Sequence, residues 1–428
     1  MRSNSFWRFG AVVAAATFVL AACGGSPSGE PSDGATPSGS ATSSDAPDLA
    51  GTTLTVWVMG DSGANLEAAV APFTAETGIE VKVEALPWDN VNDRLTTAIA
   101  SGQGPDVTQV GHSHLATFLQ GEALTELSAH VADHPNLDAA NFPNAAAALN
   151  PEGTMYSVPW VSDTRVLFYR SDILAEAGIT EPPATWDEIR EAAKTLAARG
   201  EGQYGYYIPQ WDAPLPVSYT WQTGTSVIAD DGSIELDTDG FRAAVDHYLG
   251  FYEDGSVPTA SDFDQAAGFI SGTAPMLVSG PYLANAIAEQ APDLEGKWGV
   301  ATVPTNVTGT SLFAGSNLGV WAGTKNLDAS LALLDFLAAP QTQVAWYQAV
   351  GELPAATAAF DDPALAEDPL VAIYADQLSD SLPLPTTPAW AEANQAILDT
   401  LNAIVLTGAD KESSLAKLLE TVEAINAR

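Results

Sequence analysis

His112 and His114 alternate around Ser113, and Asp133 and His134 follow downstream, so imidazole and carboxylate groups are on offer to a metal ion. A zinc site takes three or four ligands, and two alternating histidines on a loop more often make polar contacts. The reading is therefore no metal and no cofactor. Gly60-Asp61-Ser62-Gly63 has the letters of a serine-protease nucleophile loop. That chemistry needs a positioned His and Asp, yet no His precedes His112 and nothing around the five histidines resembles a protease motif. Asp61 and Asp163 could face one glycosidic bond as the two carboxylates of a hydrolase, which stand about 5–9.5 Å apart. With 54 acidic residues some pair is close by chance, and nothing in the sequence gives either the environment of a general acid. A third chemistry suits more of the residues. Trp88, Trp160, Trp211, Trp221 and Trp390 stand in loop-like contexts, several beside Asp, Asn or Arg. Sugars present CH faces that stack on aromatic rings, while their hydroxyls hydrogen-bond to planar polar groups. Trp57 and Trp346 sit in periodic apolar segments and read as core. Asn317, in Gly315-Ser316-Asn317, stays open between a ligand contact and a turn former.

These residues need a scaffold, and the first part of the chain shows one. Leu54, Val56 and Val58 alternate in TLTVWVM as a strand, and the glycine-bounded loop holding Asp61 and Ser62 breaks it. Leu66, Ala69, Val70 and Phe73 recur at helical spacing from about Asn65, with Pro72 predicting a kink or early break and Gly78 a stop. Ile79, Val81 and Val83 form a second strand. Asp89 can cap a helix carrying Val91, Leu95, Ala98 and Ile99, closed by Gly102. Asp106–Val110 is a further strand, with His112, Ser113 and His114 just past its end. Strand–helix alternation predicts an α/β lobe with a mostly parallel sheet, whose ligands bind at the carboxyl ends of strands. Thr185-Trp186-Asp187-Glu188 is a capping box, and a last helix is expected near 414–425.

Cys23 is the only cysteine. It follows Arg2, Arg8 and an apolar run from Phe9 to Leu20 that is short for a bilayer span, the pattern of a secretory signal. Leu20-Ala21-Ala22-Cys23 resembles the lipobox of bacterial lipoproteins, which implies acylation of Cys23 and a signal peptide over 1–22. Residues 23–50 are rich in Gly, Ser, Pro and Thr and read as a lipidated flexible linker. The rest is too long for one typical core, so two lobes are expected. A net charge of −39 argues against nucleic acid and against a basic patch on anionic lipid.

Along almost the whole mature chain the sequence resembles the extracellular solute-binding proteins of bacterial sugar importers, the maltose-binding-protein-like group. The resemblance is carried by TLTVWVMGDSGANLEAAVAPFTAETGIEVKVE, GQGPDVTQVGHSHLATF, YSVPWVSDTRVLFYRSDIL with Pro182–Glu188, MLVSGPYLAN, WGVATVP, FAGSNLGVWAGTKN and VGELPA, in that order. It implies an α/β, two-lobe periplasmic-binding-protein fold of the second type, with a hinge and a cleft between lobes. The first lobe would hold 51–162 and 304–340, the second 163–303 and 341–428. It implies a non-enzymatic, monomeric protein, anchored by lipid on the extracellular face of a bacterial, Gram-positive cell membrane. This protein would capture a neutral mono-, di- or oligosaccharide and deliver it to an ABC transporter permease. Carried over by position, the ligand residues would be Asp61, Ser62, Trp88, His112, Ser113, His114, Trp160, Asp163, Arg165, Trp211, Asp212, Tyr282, Asn317 and Trp390, with Trp160 open between cleft and hinge packing. Two positions depart from the pattern: His114 stands where many relatives carry Trp, and Ser62 where the maltose binder carries a cation. A secreted carbohydrate-active hydrolase and a binder of a cationic solute such as a polyamine remain the alternatives.

Overall fold

The computed structural model describes residues 49–428 apart from 61, 88–90, 144, 146–152, 211, 213, 261–262 and 388. Cys23 with its signal and linker, Asp61, Trp88, Asp89 and Trp211 lie outside the described residues, as does the side chain of Ser113.

β1 (Thr53–Met59) buries Leu54, Val56 and Val58 as the alternation predicts, and Trp57 and Met59 are buried too. A strand covered on both faces loses its polar side. β1 lies parallel to β2 (Glu80–Leu86) on one side and β3 (Val107–Gly111) on the other. β2 is an edge, and it exposes Glu80, Lys82 and Glu84, charges that discourage further pairing. Between them α1 (Gly63–Thr77) buries Leu66, Val70 and Phe73. It stops at Gly78, whose φ of 71° and N–H bond to the Thr74 carbonyl form a left-handed cap. The break expected at Pro72 does not occur. Pro72 and Ala68, whose carbonyl loses its donor, are both exposed, so water can take the missing bond. α2 (Val91–Ser101) buries Val91, Leu95 and Ala98, as the periodicity predicts.

The later strands are β4 (Val158–Thr164), β5 (Val166–Tyr169), β6 (Met276–Ser279), β7 (Gly299–Ala301), β8 (Ser311–Val320), β9 (Leu353–Pro354) and β10 (Ser381–Pro383). Among the described residues the larger sheet runs β2-β1-β3-β8-β4-β9, with β10 against β8, and a second sheet runs β6-β5-β7. The parallel expectation holds at β1–β3 and again where β10 lies parallel to β8. β8 is antiparallel to both β3 and β4, so the sheet is mixed. One residue, Arg165, separates β4 in the first sheet from β5 in the second. Alternation along β5 then divides the two cores: Val166 and Phe168 join the one around β1, β3 and β4, while Leu167 joins the other.

That other core is built by α3 (Trp186–Ala197), α4 (Pro214–Gln222), α5 (Asp239–Glu253) and two C-terminal helices. α3 opens on the expected capping box, with Thr185 Oγ1 accepting from Glu188 N and Glu188 Oε2 accepting from Thr185 N. α6 (Pro281–Gln290) follows β6. The chain just past 340 packs with the first core. After α7 (Leu327–Ala338), α8 (Pro340–Val350) packs on α1 and α7, and β9 pairs with β4. Buried Gln343 explains the attachment: Nε2 donates to the Pro159 carbonyl of β4 and Oε1 accepts from Ala355 N and Ala356 N. α9 (Pro369–Ser379) touches β4, β5, β7 and β8 at the junction of the sheets. Only past β10 do α10 (Trp390–Thr407) and α11 (Lys411–Asn426) enter the second core. The chain thus crosses between the sheets near 165 and 304–311, and past β10 it leaves the larger sheet for the helices of the second core, a step the sequence does not announce.

Candidate functional site

The register of β5 against β6 sets the centre of the site. Val166 stands opposite Ser279, so the next step outward places Arg165 beside Gly280. Asp163 is the penultimate residue of β4, two before Arg165, and α6 begins one residue past Gly280 at Pro281, putting Tyr282 in its first turn. Pro281 suits that first turn because its missing N–H would be unpaired there anyway. Arg165 Nη1 donates to Asp163 Oδ2 at 2.5 Å, and its guanidinium carbon lies 5.5 Å from the Tyr282 ring centroid. The Tyr282 hydroxyl accepts a hydrogen bond of 3.1 Å from Ser279 Oγ. Tyr282 is 42% exposed, unusual for so large a ring, so one face is open for stacking. Asp163 Oδ1 is buried and has no hydrogen-bond partner among the described residues. An unpartnered carboxylate oxygen is costly unless something else donates to it.

Asp212 is buried on the far side of Arg165, and both line a small cavity with Tyr206, Tyr219, Gln222 and His247. Burial pushes the Asp212 carboxyl up, and Arg165 and the Leu215 backbone N–H pull it partly back. Burial alone would lower the Arg165 guanidinium, but Asp163, Tyr282 and Asp212 more than offset it, so its pKa is raised. The site therefore holds a cation bonded to Asp163 and further favoured by the charge of Asp212.

A second group forms on β8. Phe313 pairs with Thr164 on one side and Pro383 on the other, and His112 stacks on its ring with centroids 5.3 Å apart. Asn317, 1% exposed, donates from Nδ2 to Ser157 Oγ at 2.8 Å, so its Oδ1 faces His112 Nε2 as an acceptor at 3.2 Å. That fixes the tautomer: His112 Nε2 carries the proton and Nδ1 is an acceptor, buried without a described partner. Burial lowers the His112 pKa to about 4, with the Asn317 bond opposing. His114 is lowered by burial as well. Asn317 is thus a support for His112 rather than a turn former. Among the described residues no group of three or more His, Cys, Asp and Glu is placed to hold a metal ion.

The tryptophans divide differently from the sequence reading. Trp160 is 2% exposed and packs on Trp346 at 5.2 Å, so hinge-side packing takes its ring. Trp57 and Trp346 are core, as expected. Trp221 is buried within α4. Trp390 is buried in the second core, but its Nε1 has no partner among the described residues. It offers an N–H rather than a ring face. Thr387 Oγ1 and Asn394 Oδ1, before and one turn after it, are likewise buried and unpartnered. Neither was found from the sequence; their only signal is the spacing i, i+4 of Trp390 and Asn394 on one face of α10. Ser62 caps α1 without using its hydroxyl, which leaves that group to the loop. The structure thus gathers Asp163, Arg165, Asp212 and Tyr282 on one side and His112 with Asn317 on the other, with β8 pairing Ala314 to Asp163 between them.

Two α/β sheets joined by crossing strands, with open rings and unpaired polar atoms where they meet, define a two-lobe binding protein. The chain belongs to the bacterial extracellular solute-binding protein family, whose model matches residues 57–344. It is 29% identical over 317 residues to the diacetylchitobiose binding protein DasA of Streptomyces coelicolor, covering 71% of this chain and 73% of that one. It is 25% identical to a maltooligosaccharide ABC transporter solute-binding lipoprotein of Streptococcus pneumoniae, covering 94% of each. The sugar-binding protein MalE of Xanthomonas citri superposes with a TM-score of 0.80 at 30% identity, covering 88% of this chain and 98% of that one. These relatives bind solutes and are not enzymes, so the chain is a binding protein of an ABC transporter rather than a hydrolase.

Proposed function

We propose that this protein captures a neutral oligosaccharide between its lobes and presents it to an ABC permease. The observation that carries the reading is the pairing of the exposed Tyr282 ring with the unpartnered Asp163 oxygen. A ring face and an adjacent acceptor match the CH face and hydroxyl of a pyranose. The relatives bind diacetylchitobiose and maltooligosaccharides, which supports the substrate class. The ligand residues would be Asp163, Asp212, Tyr282 and His112 with the edge of Trp390, joined by Asp61, Ser62, Trp88, His114 and Trp211. The lobes would comprise 49–164 with 304–379, and 166–303 with 384–428, and would close on the ligand as a monomer.

A thermal-shift screen against maltotriose, diacetylchitobiose and galactooligosaccharides tests this. A sugar at 100 times its Kd should add about 2.7 kcal/mol to stability. Tyr282→Ala should weaken the hit at least about tenfold, through lost stacking and apolar burial. Tyr282→Trp should keep it. Unchanged affinity in Tyr282→Ala would remove the ring from the site. The anchor is a separate part of the proposal. Cys23→Ser should release the protein from bacterial membranes or leave its precursor uncleaved, and lipid label retained on that variant would refute the lipobox.

A further inference from the structure

We propose that Arg165 is a positioning residue that presets the ligand-recognising pair, holding Asp163 by one oxygen so that the other is presented, and holding the Tyr282 ring beside it. This rests on the carbohydrate reading above but is not part of it, since that reading needs only Asp163 and Tyr282 to touch the sugar.

The argument begins with where the three groups come from. Asp163 belongs to a strand of the larger sheet and Tyr282 to a helix that follows the smaller one. Arg165 is the single residue between β4 and β5, and its backbone is pinned there by Ser311 Oγ, which donates to its carbonyl at 2.7 Å. From that point the guanidinium reaches back to Asp163 Oδ2 and across to the Tyr282 ring. A planar cation can do both at once: its edge donates to a carboxylate while its face lies near an aromatic ring. Asp212 lines the same cavity as Arg165 and adds a second carboxylate charge that favours the cation there.

Gly280 shows how closely the node is assembled. Its φ is −95°, a conformation open to any residue, so no backbone demand explains the glycine. Space does. A Cβ there would lie 2.3 Å from Arg165 Nη1, 2.9 Å from Asp163 Oδ1 and 2.9 Å from Tyr282 Cε1. All three members of the proposed unit converge on one missing methyl group. The Asp163 oxygen that converges there is the unpartnered one, so the presented atom and the ring edge are neighbours. The ring and the acceptor are thus already set beside each other before a ligand arrives, which lowers the ordering cost of binding.

Two measurements test this in the full chain. The first needs no ligand. Fluorotyrosine placed at position 282 should give one sharp, displaced fluorine resonance in the apo protein. In Arg165→Gln and in Gly280→Ala it should move toward the free-residue position and broaden. An unchanged resonance in both variants would overturn the proposal. The second uses whichever of maltotriose, diacetylchitobiose or a galactooligosaccharide binds the wild type. Arg165→Gln should lose roughly 10- to 100-fold in affinity, the range for breaking a charge-assisted hydrogen bond. Arg165→Lys should recover part of it, since an ammonium can hold Asp163 but cannot lie flat on the ring. In an Asp163→Asn/Tyr282→Ala background the Arg165→Gln change should cost less than about threefold, because a residue acting through others has nothing left to act on. An equal loss in both backgrounds would mean that Arg165 touches the sugar itself. If no sugar in the set binds, the carbohydrate reading fails while the fluorine measurement still decides the clamp.

Discussion

Replacing Trp160 by Ala is expected to destabilise the protein by about 3–5 kcal/mol, the range for truncating a buried aromatic residue to Ala, and to leave its affinity for ligand nearly unchanged. Trp160 stands in the motif that crosses from the first sheet to the second, where a ligand-stacking ring would be expected. The structure turns it inward. β4 carries a bulge against β8 between Pro159 and Val161, and Trp160 is the residue it displaces. A bulge re-aims the side chain it carries, here onto Trp346 with ring centroids 5.2 Å apart. Trp346 in turn donates from Nε1 to Glu352 Oε2 at 2.8 Å. Burial raises the Glu352 pKa, the Trp346 bond lowers it and Asp163 raises it. Trp160→Ala would leave a void beside this chain of contacts, and the rings around it can fill it only by giving up their own packing. The urea midpoint should fall sharply. Calorimetric titration below the unfolding range should then give the wild-type Kd. A lost Kd with an unmoved midpoint would put the ring back in the cleft.

What could be read from the chain and what could not follow from the range of the interactions. β1, α2, the Gly78 stop and the Thr185 capping box depend on residues within a few positions of one another, and they stand where periodicity puts them. The insertion of β8 between β3 and β4 depends on a partner far downstream, and no local pattern announces an antiparallel neighbour in a parallel run. The attachment of α8 to the first core is hidden for the same reason. A single buried side chain, Gln343, ties α8 to β4, and a glutamine in a helix reads as surface until its partners are seen. The site shows the same split. Asp163, Arg165 and Tyr282 were named from their motifs, but that Arg165 holds the other two depends on the β5–β6 register. Trp390 was named as a ring, whereas its burial leaves only the N–H to offer, and Thr387 and Asn394 beside it carry no signature at all.

Acidification should destabilise the protein through His247, and His247→Phe should remove that sensitivity. His247 is 6% exposed and lies flat on Trp186 at 4.0 Å, with Tyr219 and Phe251 edge-on at 4.8 and 5.0 Å. Burial first, and then the charge of Arg190, lower its pKa to about 3. The sign follows from linkage. In the unfolded chain the imidazole takes a proton near its ordinary value of about 6.5, while in the fold it stays neutral until far lower pH. Above about pH 6.5 both states are neutral and nothing is lost. Below that the unfolded state binds more protons, and stability falls by about 1.4 kcal/mol per pH unit, until the folded pKa is reached. His112, lowered to about 4, adds the same slope over a shorter window. Asp212 and Glu352 act in the other direction, because burial raises both and the fold takes up their protons first. The informative quantity is therefore a difference between variants, in which these carboxylates cancel. His247→Phe keeps the stack on Trp186 and carries no proton to exchange. Measured by urea denaturation at pH 7.5, 6, 5 and 4.5, its stability relative to wild type should be flat above pH 6.5 and then rise by about 1.4 kcal/mol per unit as the pH falls. Parallel curves across the whole range would mean that His247 titrates alike in both states, and the buried neutral imidazole would have to be abandoned.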